Sequence, residues 1–266
     1  MKKSPIRPHH QRAIDKLVAT YENDKDYLAI IIGGSVAKNC ARDDSDVDFM
    51  IVATDEAYAR RLRAGDLFIN RTDLCDYPGG FVDGKVINLD YLHQAARKGN
   101  EPSRAAFDGA FPAYSKIDDL SDILKDIHRY PEAQRAERMR TFYSMAFIQQ
   151  WLMGEAGRHD NPYTKTRAAS QLALFAGRLI LAYNRVLFPY HKWFLHYLDK
   201  CPEKPDHFME YLRTVLEVPN AENAQRLFQS LQAFQDWGVT DLEAYRWFMQ
   251  EVEWSWMKDQ TPMEDW

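Results

Sequence analysis

Cysteine and net positive charge are both scarce in this chain, and each scarcity excludes a class of protein. Only three cysteines occur among 266 residues, too few and too scattered for a disulfide framework. The chain has 34 Lys and Arg residues and 39 Asp and Glu residues, which gives a net charge of −5. Proteins that bind the nucleic-acid backbone normally have an excess of basic residues. We therefore expect a protein of a reducing, cytoplasmic compartment, for which long nucleic acid is not the main partner.

A long uninterrupted apolar run is missing as well. The N-terminus carries two lysines but continues into Pro and His instead of the apolar core of a signal peptide. The longest apolar helix candidate, residues 168–188, is interrupted by four polar residues, Gln171, Arg178, Asn184 and Arg185. Buried polar residues at that frequency argue against a bilayer span. We predict no membrane association.

Glycine and tryptophan divide the chain into two parts. Eight of the twelve glycines lie at or before Gly109, and all seven tryptophans lie after residue 150. The front is therefore typical of short elements joined by tight turns, and the back is typical of aromatic-packed helices. We predict an α+β fold, with a small mixed β-sheet flanked by helices in a first domain (residues 1–118). A purely helical bundle is predicted in a second domain (residues 119–266).

Apolar runs and a turn signal predict the strands of the first domain. Residues 27–32 form a continuous apolar run that ends at two glycines, which indicates a strand buried on both faces. Residues 47–52 predict a second strand. The Asp83-Gly84 pair between β-branched residues is the strongest hairpin signal in the chain and predicts a turn there, within residues 80–91.

Helical spacing and capping residues predict the helices. In the front part the expected helices cover residues 10–21, 55–63 and 91–98. In the back part, the apolar residues of 120–127 share one face, and longer helices are expected over about 131–151 and 161–188. Thr240-Asp-Leu-Glu243 has the form of a capping box that opens the last helix.

The residues that carry chemistry follow the first predicted strand. Gly33, Gly34 and Ser35 form a turn whose backbone N–H groups and hydroxyl can approach phosphate oxygens closely. Asp46 and Asp48 then open the second strand, where residues two apart point to the same face. Two neighbouring carboxylates repel each other unless a cation lies between them, and such hard oxygen ligands suit Mg²⁺. The pattern predicts a phosphate and metal site.

A third carboxylate is expected from the predicted hairpin. In its second strand, Asn88 and Asp90 would point away from Ile87 and Leu89. If that strand pairs with residues 47–52, Asp90 joins Asp46 and Asp48 around two Mg²⁺ ions. We therefore predict Asp46, Asp48 and Asp90 as both metal ligands and catalytic residues.

At these residues the sequence resembles the DNA polymerase β-like nucleotidyltransferase superfamily, whose signature is Gly-Ser, a spacer of about ten residues and Asp-x-Asp. Gly34-Ser35, ten intervening residues and Asp46-Val-Asp48 match that signature. The order of a small catalytic domain and a helical bundle is similar to that of aminoglycoside- and lincosamide-type antibiotic nucleotidyltransferases. The motif resemblance covers roughly residues 25–92, and over the helical half only the architecture is similar.

The resemblance implies roles for individual residues. Gly34 and Ser35 are expected to bind the phosphates of a nucleoside triphosphate (NTP), with ATP as the expected nucleotide. Arg42 lies where such enzymes often carry a basic residue, and it can equally be a solvated arginine beside acidic residues. Lys192, in Tyr190-His-Lys-Trp193, is similar to a lysine that reaches the triphosphate in some members, and it can equally be a simply exposed lysine.

Two functions of different classes follow. The first is an Mg²⁺-dependent transferase that moves a nucleoside monophosphate to a hydroxyl of a small acceptor and releases pyrophosphate. The acidic net charge favours an aminoglycoside-like, cationic acceptor, which would connect the protein with antibiotic resistance. The alternative is a nucleotide-binding or partner-modifying regulatory module of the toxin–antitoxin type. Either form is compatible with a monomer or a homodimer.

Overall fold

The computed structural model describes residues 6–259. The chain divides into two compact units, one up to Arg129 and one from Tyr130 onward. The first five residues of the first predicted domain and the last seven of the second lie outside the described residues. The predicted fold class is confirmed, because a mixed sheet with flanking helices is followed by a helical unit.

The first unit is built on a five-stranded sheet with the order β3-β4-β2-β1-β5. Its strands are β1 (Tyr27–Ile32), β2 (Val47–Ala53), β3 (Phe68–Arg71), β4 (Val82–Asn88) and β5 (Phe111–Ser115). β2 and β4 are parallel, and the other neighbouring pairs are antiparallel. The flanking helices are α1 (Pro8–Tyr21), α2 (Gly34–Ala37), α3 (Asp55–Ala64), α4 (Leu89–Lys98), α5 (Glu101–Ala105) and α6 (Leu120–His128).

Apolar side chains cover both faces of this sheet. On one face Ile30 and Ile32 pack in a cluster with Leu17 of α1, and on the other face Ile31 packs in a cluster with Leu92 of α4. Because neighbouring residues of a strand point to opposite faces, the continuous apolar run of β1 serves both clusters. The prediction of a strand buried on both faces is thereby confirmed.

The Asp83-Gly84 pair does not form a turn, and that prediction is wrong. Both residues lie inside β4, where Gly84 faces Ile69 of β3 on one side and Phe49 of β2 on the other. A Cβ atom on Gly84 would lie 2.2 Å from Phe49 Cζ, so the glycine leaves room for the ring of its neighbour. The hairpin that exists is formed by β3 and β4, with residues 72–81 between them.

The first unit extends beyond the predicted boundary at residue 118 because α6 packs on the sheet. The side chains of Leu120, Leu124 and Ile127 belong to the same apolar cluster as β1. The buried guanidinium of Arg104 also donates hydrogen bonds to the backbone oxygens of Ala96 (2.6 Å) and Ile127 (3.3 Å). Arg104 thus satisfies carbonyl groups at the C-terminal ends of both α4 and α6.

The second unit is helical. Its helices are α7 (Arg135–Arg158), α8 (Pro162–Tyr183), α9 (Phe194–Asp199), α10 (Phe208–Glu217), α11 (Ala221–Phe234) and α12 (Asp241–Phe248). The capping box is confirmed, since Thr240 Oγ1 accepts from the Glu243 N–H and the Glu243 carboxylate accepts from the Thr240 N–H. Helix α8 ends five residues before Phe188, where Asn184 and Arg185 leave helical geometry. Within residues 6–259 no helix has the length and apolar character needed to cross a membrane.

Replacing Ile127 by Ala tests whether α6 is part of the first core. Ile127 is 0% exposed, so the substitution leaves a cavity, and we expect the free energy of unfolding to fall by about 2–4 kcal/mol. Lys125→Ala on the same helix is the control, because Lys125 is exposed and pairs with the exposed Asp122, a contact expected to contribute about 0.5 kcal/mol or less. Urea unfolding measures both, and equal effects would show that α6 does not belong to this core.

Candidate functional site

The Gly33-Gly34-Ser35 turn lies at the end of β1 and opens the short helix α2. The Gly33 N–H donates to the Asp48 backbone oxygen at 2.9 Å, which joins the turn to β2. Gly34 has a φ of +59°, a left-handed conformation that glycine adopts without strain. The first N–H groups of α2 have no intrahelical partners, as at any helix start, and are available to an anion.

The Asp48 side chain lies directly against Gly34. A Cβ atom on Gly34 would come within 1.6 Å of Asp48 Oδ2, so only glycine allows this approach. Asp46 lies immediately before β2 and Asp48 lies within it, and these two half-buried residues alternate with the buried Val47 and Phe49. The two carboxylates therefore project to the same side of the strand, as the two-residue spacing predicts.

The loop before Asp46 is held by a small aromatic group from outside the predicted motif. The Ser45 backbone oxygen accepts a hydrogen bond from the Tyr77 hydroxyl at 2.8 Å and lies 3.0 Å from His10 Nε2. Burial raises the pKa of Tyr77, which keeps its hydroxyl protonated as a donor. The hydroxyl of Ser45 in turn accepts from the Arg42 N–H at 2.8 Å. These contacts fix the start of β2 and with it the position of Asp46.

The third carboxylate beside Asp46 and Asp48 is Asp83. In the parallel pairing of β2 with β4, Asp48 lies opposite Asp83. Burial raises the pKa of Asp83, the negative charge of Asp46 acts in the same direction, and the positive charge of Lys85 acts against both. An effect of this kind requires the two carboxyl groups to be close. The sequence interpretation missed Asp83 because it assigned that residue to a turn.

The predicted convergence of Asp90 with Asp46 and Asp48 is wrong. Asp90 lies in the first turn of α4, after the opposite end of β4 from Asp83. Asp83 and Asn88 are five residue steps apart along the extended strand, which corresponds to roughly 17 Å. The exposed Asp90 carboxylate accepts a hydrogen bond from the Gln94 side chain instead. Asn88, expected to point with Asp90, caps α4 by accepting from the Tyr91 N–H at 3.0 Å.

Asp46, Asp48 and Asp83, which we call the acidic site, carry oxygen atoms of the kind that bind hard cations, but they do not form a preformed metal site. Among residues 6–259 no three His, Cys, Asp or Glu side chains are arranged as a ready-made metal site. In the same range no salt bridge or hydrogen bond reaches the carboxylates of Asp46 or Asp83. The raised pKa of Asp83 reflects burial and a negative neighbour. A hard cation such as Mg²⁺ would relieve both, so the residues fit such an ion.

A cavity of about 270 Å³ opens beside these carboxylates and contains a lysine that the sequence interpretation missed. Its wall includes Gly34, Lys38, Asp48, Asp83, Met50, Phe68, Lys85 and Phe107. Burial lowers the pKa of Lys38, and the charges of Asp108 and Asp48 oppose that effect. Lys38 follows Gly34 by four residues across a helical turn, a spacing that places the two on one side and could have revealed it.

Two further titratable groups, His128 and Asp108, lie near Lys38. His128 Nε2 is 3.6 Å from Asp108 Oδ1. Burial lowers the pKa of His128, with the nearby charge of Lys38 acting in the same direction and Asp108 acting against it. The negative charge of Asp108 therefore acts on both Lys38 and His128.

The other predicted nucleotide-binding residues lie in different surroundings. Ser35 Oγ is buried and has no hydrogen-bond partner among residues 6–259. Arg42 is exposed and forms a two-point ion pair with Asp44, at 2.9 and 3.3 Å. Lys192 belongs to the second unit, in a short 3-10 turn where its Nζ lies 5.8 Å from the Trp193 ring centre. The nucleotide-binding roles of these three residues stay predictions.

Comparisons with known proteins give a structural likeness of low sequence identity. No protein-family model matches the sequence, and no curated protein matches it either. One solved structure that it resembles is a nucleotidyltransferase-like protein from Exiguobacterium sibiricum 255-15, with 10% identity and a TM-score of 0.49. The match covers 96% of this chain and 83% of that chain. A likeness this distant carries no conclusion about activity, which must come from the geometry of the site.

Gly34→Ala tests the close approach of Asp48 to the turn. The new Cβ atom would displace the Asp48 carboxylate, so we expect the free energy of unfolding to fall by more than the cost of left-handed strain, about 1–2 kcal/mol. Gly65→Ala is a matched control, because Gly65 has a φ of +68° but no atom within 4 Å of the added Cβ. Thermal unfolding measures both variants. Equal stability losses in both would contradict the contact.

Proposed function

We propose that the protein is an Mg²⁺-dependent nucleotidyltransferase that moves a nucleoside monophosphate from an NTP, ATP being the first candidate, to a hydroxyl of a small acceptor. One observation carries the proposal: Asp48 faces Asp83 across two parallel strands while its carboxylate touches Gly34 of the phosphate-compatible turn. Asp46, two residues before Asp48, adds a third carboxylate. Carboxylates next to an anion-binding turn are the combination that joins divalent cations to phosphates.

Each group of the site has a distinct task in this proposal. Asp46, Asp48 and Asp83 would hold the cations, and Mg²⁺ when bound neutralises the triphosphate and favours departure of pyrophosphate. The backbone N–H groups that open α2 and the hydroxyl of Ser35 would donate to phosphate oxygens. Lys38, which lines the same cavity, would add a positive charge. Arg42 and Lys192 are retained as further candidates for phosphate contacts.

The transfer itself is a substitution at the α-phosphorus. The acceptor oxygen forms the new P–O bond while the bond between the α-phosphorus and the bridging oxygen breaks, and pyrophosphate leaves with the electron pair. The hydroxyl proton would pass to a carboxylate of the site. Asp83 is the candidate acceptor of that proton, because it lines the same cavity as Gly34 of the turn. It takes the role that the sequence interpretation gave to Asp90.

The acidic balance of the chain favours a cationic acceptor. With a net charge of −5, the protein attracts polyamines and aminoglycosides more readily than a polynucleotide. An aminoglycoside supplies both the hydroxyls and the positive charges that this proposal needs. Modification of such an acceptor would confer antibiotic resistance.

Asp83→Asn and Asp90→Asn distinguish the two possible third carboxylates. The protein is incubated with Mg²⁺, α-labelled ATP and a panel of aminoglycosides, and label transfer and pyrophosphate release are measured. We expect Asp83→Asn and Asp46→Asn to lower the rate by about 10²–10⁴-fold, and Asp90→Asn, which lies on α4, to leave it nearly unchanged. If wild type transfers no more label than Asp46→Asn with every acceptor and nucleotide, the transferase proposal fails.

Thermal unfolding with and without ligands tests cation binding separately from turnover. Metal-free Asp83→Asn should melt at least as high as wild type, because the substitution removes a charge that repels Asp46. Added Mg²⁺ and ATP should raise the Tm of wild type but not that of Asp83→Asn, since only a ligand of the folded state stabilises it. If ATP raises the Tm equally with and without Mg²⁺, and equally in wild type and Asp46→Asn, the result favours the nucleotide-binding regulatory module instead.

A further inference from the structure

The cavity beside the acidic site continues past the carboxylates along the same face of the sheet. Its wall includes Met50 of β2, Lys85 of β4 and Phe68 of β3. In the sheet, Lys85 lies opposite Met50 on one side and opposite Phe68 on the other. These three side chains therefore form one row across three neighbouring strands, which we call the Phe68 row.

The Phe68 row runs next to the acidic site. Asp48 and Asp83 lie opposite each other, and each precedes a member of the row, Met50 or Lys85, by two residues on the same strand. Residues two apart on a strand point to the same face and are separated by roughly 7 Å. A ligand that holds one group at the carboxylates can therefore place a second group on the Phe68 row.

The surface that this row offers is mostly apolar and suits a planar ring. Phe68 is 58% exposed at the edge of the sheet, and aromatic rings pack favourably against planar partners. The thioether of Met50 also packs well against aromatic rings. A lysine such as Lys85 covers apolar surface with its methylene groups while its ammonium stays in water. The row thus has the character of a stacking surface beside a phosphate and cation site.

The direction of the transfer assigns this surface to the donor nucleotide. The phosphate-compatible turn follows β1 and the carboxylates lie on β2 and β4, so a triphosphate bound there runs across the strands. In a substitution at phosphorus, the attacking hydroxyl lies opposite the leaving pyrophosphate. The acceptor then continues the same line toward the β3 edge, whereas the nucleoside extends sideways from the α-phosphorus. The Phe68 row lies to the side of that line, within the same cavity.

We infer that the Phe68 row binds the purine base of the NTP, which stacks on Phe68 and Met50 while the phosphates lie at the acidic site and the turn. This inference rests on the proposed function, because the acidic site must hold the triphosphate for the base to reach the row. Stacking uses the face of a base, which every base has, so the larger purine ring system binds more tightly than a pyrimidine. The row therefore favours ATP and GTP over CTP and UTP as donors.

Phe68→Ala separates base binding from phosphate binding. The full-length protein with Mg²⁺ is titrated calorimetrically with α,β-methylene-ATP, α,β-methylene-CTP and inorganic tripolyphosphate. The methylene group blocks transfer, and tripolyphosphate carries no base. Wild type should bind the ATP analogue more tightly than the CTP analogue. Phe68→Ala should weaken binding of the ATP analogue about tenfold, as expected for loss of one base–aromatic stack, and leave the affinity for tripolyphosphate unchanged.

Two further variants control for effects of the substitution itself. Phe68→Tyr keeps an aromatic ring and should retain the affinity for the ATP analogue. Leu62→Ala removes another exposed apolar side chain of the same unit, which is 53% exposed and does not line the cavity. It should change the affinity for neither the ATP analogue nor tripolyphosphate.

The results distinguish failure of this inference from failure of the proposed function. The inference is overturned if Phe68→Ala binds the ATP analogue as tightly as wild type, if it loses affinity for tripolyphosphate by the same factor, or if wild type binds both analogues equally. That last comparison stays decisive if Phe68→Ala does not fold. If wild type binds none of the three ligands with Mg²⁺, the inference and the proposed function both fail. Phe68-dependent binding without label transfer to any acceptor overturns the proposed function alone.

Discussion

The candidate site depends on the register of the parallel pair β2 and β4. Asp48 lies opposite Asp83 only in the register in which Phe49 lies opposite Gly84. A shift by two residues would move Asp83 by roughly 7 Å along the strand, and a shift by one would turn its side chain to the other face. Because a Cβ atom on Gly84 would lie 2.2 Å from the Phe49 ring, the glycine and the ring fix this register sterically. A packing contact without any polar group thereby positions the two carboxylates.

The same contact explains why the third carboxylate could not be found from the sequence. Asp-Gly is a strong turn signal, because both residues adopt left-handed conformations readily. Here Gly84 lies in an extended strand for a different reason, the need for space beside Phe49. That requirement comes from a residue 35 positions earlier in the sequence. Only knowledge of which strands pair reveals it.

A sequence pattern predicted the structure correctly where the residues that produce the pattern are also the residues that form the element. Three predictions of this kind are confirmed: the apolar run of β1, the alternation around Asp46 and Asp48, and the capping box at Thr240. Strands β3 and β5 were missed, because four- and five-residue edge strands give short patterns. The amphipathic face of α6 was recognised, but its periodicity does not say which of two cores it covers. The sheet of the first unit is what α6 covers.

Several aspartates elsewhere in the first unit have arginine partners, as in the pairs Asp26–Arg60, Asp66–Arg61, Asp73–Arg71 and Asp76–Arg12. Others are held by a lysine or an amide, as Asp122 is by Lys125 and Asp90 by Gln94. Within residues 6–259, Asp46 and Asp83 form no ion pair, although burial makes the charge of Asp83 more costly than that of an exposed aspartate.

Among residues 6–259, Asp83 therefore lacks the arginine partner that several other aspartates of this unit have, although burial raises the cost of its charge. An arginine between Asp46 and Asp83 would lower the pKa of Asp83 and stabilise the fold, but it would also occupy the position of a cation. Stability given up at a specific set of charges is typical of functional sites, where the compensating partner arrives with the substrate. A divalent cation that accompanies a triphosphate is a partner of that kind.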